Sequence, residues 1–294
     1  MTTNPRIPFA FSSDRPTLPP PGGKPLIVQV VVNIENWRFD QPMPRKLLTA
    51  PHGVETTPDV PNFAWAEYGL RCGLPRMMRM LERRDIAVGC ALNAAVIDTY
   101  PRVAEAILDA GWEVIGHGLH QKSVQAEASE SEILEMALSK LQAFSGQRVQ
   151  GWLGPGLKET EHTVDLLKAH GLRYCSDWVL DDLPTWMRTT GGPMIAMPYS
   201  LEINDSVAHA VQARPSDELL TRLRLTLQTF EDELADQPRV LTLGLHPHLM
   251  GVPHRAPILD AMLEMLQARD DVVFMTGAQI ADWFESVCPV PEAI

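Results

Sequence analysis

The chain has 294 residues, 45% of them hydrophobic and 21% charged, and its 37 acidic against 25 basic side chains give a formal net charge of −12. That balance argues against nucleic acid or an anionic membrane surface as a partner, and no apolar run reaches the roughly 18–20 residues of a membrane span. Four scattered cysteines, Cys72, Cys90, Cys175 and Cys288, form no CxxC pair, so reduced thiols in a cytoplasmic protein are expected rather than a disulfide framework.

Residues 1–25 are rich in proline and polar side chains and lack periodicity. They read as an extended arm on the surface or on a neighbouring subunit, which suits a homodimer or homotetramer. No basic stretch followed by an apolar run opens the arm, so an export signal is not expected. The run Pro25–Ile34 is almost continuously β-branched, as in a strand buried on both faces of a parallel sheet. Further strands are expected at Ile86–Leu92, Glu113–Ile115, Val149–Leu153, Leu172–Ser176, Met194–Met197, Val240–Leu245 and Val272–Met275. Helical patterns separate them. Pro101 opens one that Gly111 ends, and Ser129 and Glu132 form a capping box for the next. A third runs Thr163–His170, and stripes from Leu219 to Leu234 and from Ile258 to Leu266 mark two more.

Such alternation implies a parallel sheet, and about eight strands favour a closed (β/α) barrel over an open sheet. The expected organisation is an arm over 1–25 and one barrel domain over 26–294, with no G-x-G-x-x-G to suggest a dinucleotide. Two long loops, 35–65 with its five prolines and 198–215, both leave the C-terminal ends of strands. That end is the catalytic face of a barrel.

Polar residues at expected strand ends are therefore the candidates for chemistry. They are Glu35 after the first strand, His117 and His120 after the third, and Asp177 and Trp178 after the fifth. Tyr199, Asn204 and Asp205 follow the sixth, and His246 and His248 the seventh. His248 reads as lying behind or outside the site. His52, His162, His170, His209 and His254 read as solvated, and Cys72 and Cys90 as core.

The order of these pieces resembles the polysaccharide deacetylase (NodB-homology) family, in its allantoinase-like and cyclic-imide-hydrolase-like branch. The matching segments are Val31–Glu35, Pro61–Gly69, Gly116–Gly118, Gly154-Pro155, Ser176–Trp178 with Asp181–Pro184, Pro198-Tyr199 with Glu202–Asp205, and Leu243–Pro247. The resemblance implies a deformed (β/α) TIM-like barrel that hydrolyses a carbon–nitrogen bond. It puts Glu35 on the position of the catalytic base, Asn36 on that of a metal-binding aspartate, His117 on the first metal histidine and His246 on a late general acid. The second metal histidine falls at Gln121, with His120 one residue early, and an expected arginine is Leu153. The cofactor expectation is thus either none or one divalent, zinc-like ion on His117 and His120.

Amide hydrolysis needs an activated water, an oxyanion stabiliser and a proton for the leaving nitrogen. The expected division makes Glu35 the base or water-positioner, while His117 polarises the carbonyl or binds a metal that does so. His246 is the acid and Asp177 orients one of these histidines. Asn204 and Asp205 would bind the substrate's amide edge, with Trp178 and Tyr199 lining the pocket. The expected substrate is a small cyclic amide, imide or ureide. An N-acetylated glycan and a non-catalytic binding role are the alternatives.

Overall fold

The computed structural model describes residues 4–50, 53–292 and 294, and among these the alternation resolves into nine strands and nine α-helices. The strands are β1 (Leu26–Ile34), β2 (Val88–Leu92), β3 (Glu113–Gly116), β4 (Gly151–Trp152), β5 (Tyr174–Cys175), β6 (Thr185–Met187), β7 (Met194–Ala196), β8 (Arg239–Leu245) and β9 (Val272–Phe274). The helices are α1 (Val60–Tyr68), α2 (Leu74–Glu82), α3 (Val96–Thr99), α4 (Pro101–Asp109), α5 (Glu130–Ser145), α6 (Thr163–Ala169), α7 (Glu218–Glu233), α8 (Ala256–Gln267) and α9 (Gly277–Val287). No described helix is long and apolar enough to cross a membrane.

The sheet runs β6-β7-β5-β4-β3-β2-β1-β8, with β9 beside the start of β1. Every pairing is parallel except β6 with β7. It curls like a barrel without closing by a ladder, because β8 pairs with β1 alone. At the seam the segment after β7 lies along β8. The Gly244 amide donates to the Ile203 carbonyl (3.1 Å), the Thr242 hydroxyl to the Pro198 carbonyl (2.9 Å), and one isolated bridge joins Asn204 to Gly244. The sequence expectation of a closed ring is corrected to a half-barrel. The antiparallel β6, which the sequence reading missed, occupies the edge where a closing strand would pair.

β1 is buried at all nine positions, as its β-branched run requires. Leu26, Val28, Val30, Val32 and Ile34 join the core between sheet and helices, while Ile27 and Val31 join a second core on the inner face of the curl. Ile280, Trp283 and Phe284 of α9 and Leu18 of the arm complete that inner core. α9 was not expected, although Thr276 and Gln279 form a full capping box. The loop expected over 35–65 ends early in α1, where the Asp59 carboxylate accepts from the Asn62 amide and Pro61 occupies the first turn.

From residue 4 onward the arm lies on its own chain. Arg6 pairs with Asp165 (2.8 Å), Arg15 with Asp181 (2.9 Å), and the Leu18 amide donates to Gln237 (2.7 Å). Residues 1–3 of the arm and His52 fall outside the described residues.

Candidate active site

Side chains alternate across a strand, so inward positions recur every second residue. In β1 the inner-core residues Ile27 and Val31 are followed by Asn33, whose Nδ2 donates to Tyr199 Oη (3.1 Å) and the Leu245 carbonyl (3.2 Å). The next inward position is Glu35. In β3, Ile115 is inner and His117 follows in step; in β8, Val240 is inner, Thr242 donates to Gln29 (3.3 Å), and two further steps reach His246. The same parity thus carries Glu35, His117 and His246 to one mouth.

There Glu35 and His246 face each other with Oε1 and Nε2 3.5 Å apart, both side chains at least 90% buried. That is an ion-pair distance but too long for a hydrogen bond. The other carboxylate oxygen of Glu35 accepts from Trp37 Nε1 (2.7 Å). Behind His246, Nδ1 donates to Asp205 Oδ1 (2.6 Å), and Asp205 Oδ2 accepts the His246 backbone N–H (2.6 Å). Asp205 is fully buried. Its expected role against the substrate is therefore corrected: both its oxygens are occupied in aligning and charging His246.

Burial alone would drive protons off His246, but the charge and hydrogen bond of Asp205, joined by Glu35, raise it to about 10. Burial would likewise raise Glu35, yet its contact with His246 and the charges of His248 and His117 hold it at about 2. At neutral pH the site is an imidazolium between two carboxylates.

His117 is 3% exposed and its Nδ1 contacts the Leu153 carbonyl. A carbonyl only accepts, so the proton sits on Nδ1. Burial lowers this ring's affinity for a second proton, leaving Nε2 as a lone pair, buried and without a hydrogen-bond partner. A lone pair cannot polarise a carbonyl oxygen, so that expectation is corrected. Nε2 can instead accept from a water or a substrate N–H. His120 Nδ1 is hydrogen-bonded to Asn36 Oδ1 (2.8 Å), while Asn36 Nδ2 donates to Thr99 (2.8 Å).

These residues do not fit the metal that the family resemblance implies. Asn36 is a neutral amide whose oxygen shares a proton with His120, and the position of the second histidine is Gln121. Among the described residues, the one trio of His, Cys, Asp or Glu whose ligand atoms converge within 4.8 Å is Glu159, Cys175 and Asp177. His117 and His120 belong to no such trio.

His248 is a functional candidate that the sequence reading set aside. It is 5% exposed, stacked edge-on against Trp37, Trp65 and His246 with ring centroids 5.4, 4.7 and 5.6 Å away. Burial brings it down to about 4, so it is neutral at pH 7. It approaches so closely because Gly69 lies beneath it; a Cβ there would stand 2.5 Å from the His248 amide nitrogen. The signal was in the sequence, since two tryptophans flank the loop that covers the strand ends. Above Glu35 opens a cavity of about 660 Å³, bounded by Trp37, Pro42, Arg45, His120 and Pro155.

Other expected site residues go elsewhere. Asp177 shares the parity of Cys175, which points to the outer core. It accepts the Gly154 N–H (2.7 Å) and orients no histidine; burial and the neighbouring charge of Glu159 raise it well above a usual carboxyl. Trp178 packs on that outer core and donates to Glu159 (2.9 Å). Tyr199 is buried beneath the site, where its hydroxyl accepts from Asn33 and Asn204. Asn204 caps the turn that follows by accepting from the Ser206 (3.0 Å) and Val207 (3.3 Å) amides. His209, expected in solvent, is 7% exposed against the Arg214 carbonyl.

Residues 63–175 match the polysaccharide deacetylase family. A putative polysaccharide deacetylase of Schizosaccharomyces pombe is 27% identical over 242 residues, 76% of either chain. Among solved structures, a probable polysaccharide deacetylase from Pseudomonas aeruginosa PAO1 superposes with TM-score 0.84 at 26% identity, covering 95% of this chain and 97% of that one. The allantoinase PuuE has the same fold, with TM-score 0.87 at 24% identity, covering 99% of this chain and 100% of that one. The chain is similar to polysaccharide deacetylases and has the deformed barrel their resemblance implied, and the enzymes so named, like allantoinases, are carbon–nitrogen hydrolases.

Proposed function

From that kinship we propose that this protein hydrolyses the carbon–nitrogen bond of a small cyclic amide, imide or ureide. One observation carries the reading: a buried Glu35–His246–Asp205 chain of charges meets a cavity at Glu35, where the donors for a catalytic metal do not converge. A shared nitrogen lone pair makes an imide or ureide carbonyl more electrophilic than a glycan acetamide, so it depends less on a Lewis acid.

The residues divide the work as follows. A water held between the Glu35 carboxylate and the His117 Nε2 lone pair attacks the carbonyl carbon and gives its proton to Glu35. The His246 charge offsets the developing oxyanion, and its Nε2–H protonates the leaving nitrogen as the C–N bond breaks. Glu35, 3.5 Å from His246, then returns a proton to it through a water, and the ring-opened acid leaves. Asp205 keeps the imidazole aligned throughout and favours its charged form before and after the transfer.

Purified protein tested against cyclic imides, ureides and N-acetylglucosamine oligomers decides the matter. Ring opening of a cyclic substrate, resistant to a chelator, is expected. Efficient deacetylation of the oligomers, abolished by a chelator and restored by zinc or cobalt, would establish the glycan reading that the relatives' names favour.

A further inference from the structure

The charge lining the cavity runs against the charge of the chain. Overall, acidic side chains exceed basic ones by 37 to 25, yet the cavity wall carries Arg38, Arg45, Lys122 and Lys158 against Glu35 and Glu127 alone. Two of the four cations are already neutralised, Arg38 by Asp40 (2.8 Å) and Lys122 by Glu127 (2.7 Å). Glu35 is bound to His246 and Trp37. Arg45 has no carboxylate within ion-pair distance among the described residues; its one hydrogen bond is a long one, from Nη1 to the Ser206 carbonyl (3.4 Å). It is half-buried, and its charge bears on His248 beside the reacting pair. Lys158, also on the cavity wall, is exposed and likewise without an acidic partner among the described residues.

A half-buried guanidinium held near His248 and left without a carboxylate partner has a cost, because it is partly desolvated. A ligand anion removes that cost. We propose that the substrate carries a carboxylate next to its scissile cyclic amide, and that Arg45 receives it and thereby selects the substrate. The planar fork of arginine matches a carboxylate with two parallel hydrogen bonds. The proposal rests on the reading of the site given above, but it concerns binding and can be tested without turnover.

The test is titration calorimetry of the full chain with 5-methylhydantoin and with 5-carboxymethylhydantoin, which differ by the carboxylate. The intact protein should bind the acid about 10- to 100-fold more tightly, the range for a charge-assisted pair. Arg45→Gln should bring the ratio near one, and Arg45→Lys should restore it in part. Each ratio compares two ligands on one preparation, so it is independent of how much of a variant is folded. Equal affinity for both compounds in the intact protein, no binding of either, or a preference that survives Arg45→Gln would overturn the proposal. Displacement by inorganic phosphate at the concentration of the acid itself would overturn the carboxylate assignment. If the acid binds selectively through Arg45 and no cyclic amide is hydrolysed, the hydrolase reading fails and the anion site stands.

Discussion

Asp205→Asn removes one charge and keeps the shape of the group behind His246. The folded site raises His246 from 6.5 to about 10, and the difference, 10 − 6.5, corresponds to roughly 5 kcal/mol at 1.36 kcal/mol per unit. Asp205 contributes the leading favourable share, through a 2.6 Å contact made at zero exposure, and Glu35 contributes the rest from 3.5 Å. If the aspartate's share is about half or more, the ring in the variant titrates about two units lower, near pH 8. The acid form would then be nearly complete at pH 6 in both proteins, but depleted in the variant about tenfold at pH 9 and about 50-fold at pH 10. Histidine ring resonances followed by NMR titration measure this without a substrate, and the alkaline limb of kcat/KM should shift by the same two units. A wild-type His246 that titrates between pH 6 and 7, or a midpoint that Asp205→Asn leaves in place, would refute the reasoning.

Glu35→Gln and His246→Ala should each lower kcat by about 10²–10⁴-fold with the fold intact by circular dichroism, and a variant within threefold of wild type would exclude that residue from the chemistry. Acid stability should report His248 first. Its folded value near 4 lies below the 6.5 of an unconstrained ring, so stability falls as pH drops from 6.5 to 4, by up to about 3 kcal/mol. Glu35, held at about 2 against 4.5, adds a further loss between 4.5 and 2; urea melts should show the first loss flattened in His248→Gln. Metal analysis of purified protein should find less than one equivalent of transition metal, and a chelator should leave turnover unchanged, whereas stoichiometric zinc needed for activity would contradict the donor geometry. The homodimer or homotetramer remains a proposal, supported by exposed Phe9, Phe11, Leu47 and Leu48; light scattering that finds only a 32.7 kDa particle would dispose of it.

The alternation of strands and helices was legible because a parallel sheet buried on both faces writes itself as continuous β-branched runs, as in β1. The mouth was legible through strand ends, which is how Glu35, His117 and His246 were found. What misled was reading position along the chain without parity. Asp177 ends its strand as His246 does, but it stands an even count from Cys175, which faces the helices, and so leaves the site. Asp205 was expected against the substrate's amide edge and not behind His246. Its partner lies 41 residues on in the chain, beyond the range of any local pattern. His248 was lost for a related reason, since its burial depends on Trp65 of α1 and on Gly69 just after it. The antiparallel β6 has only three residues, too few for periodicity to register.

The seam between β8 and the segment after β7 bears on how often the protein is ready to work. A full ladder opens only when many hydrogen bonds fail together, whereas this junction depends on one bridge and a few contacts from loop to strand. Such a junction belongs among the regions that breathe well below the free energy of global unfolding. Each opening there carries Asp205 away from His246, because the aspartate rides on the loop and the histidine on the strand. The protonated histidine then loses its main counter-charge, and its proton affinity falls toward that expected of Asp205→Asn. Hydrogen exchange at the Gly244 amide, which is bonded to Ile203, therefore reads out a resting-state equilibrium between a site with Asp205 against His246 and one without it. The open edge of the sheet sets that equilibrium, independently of any substrate.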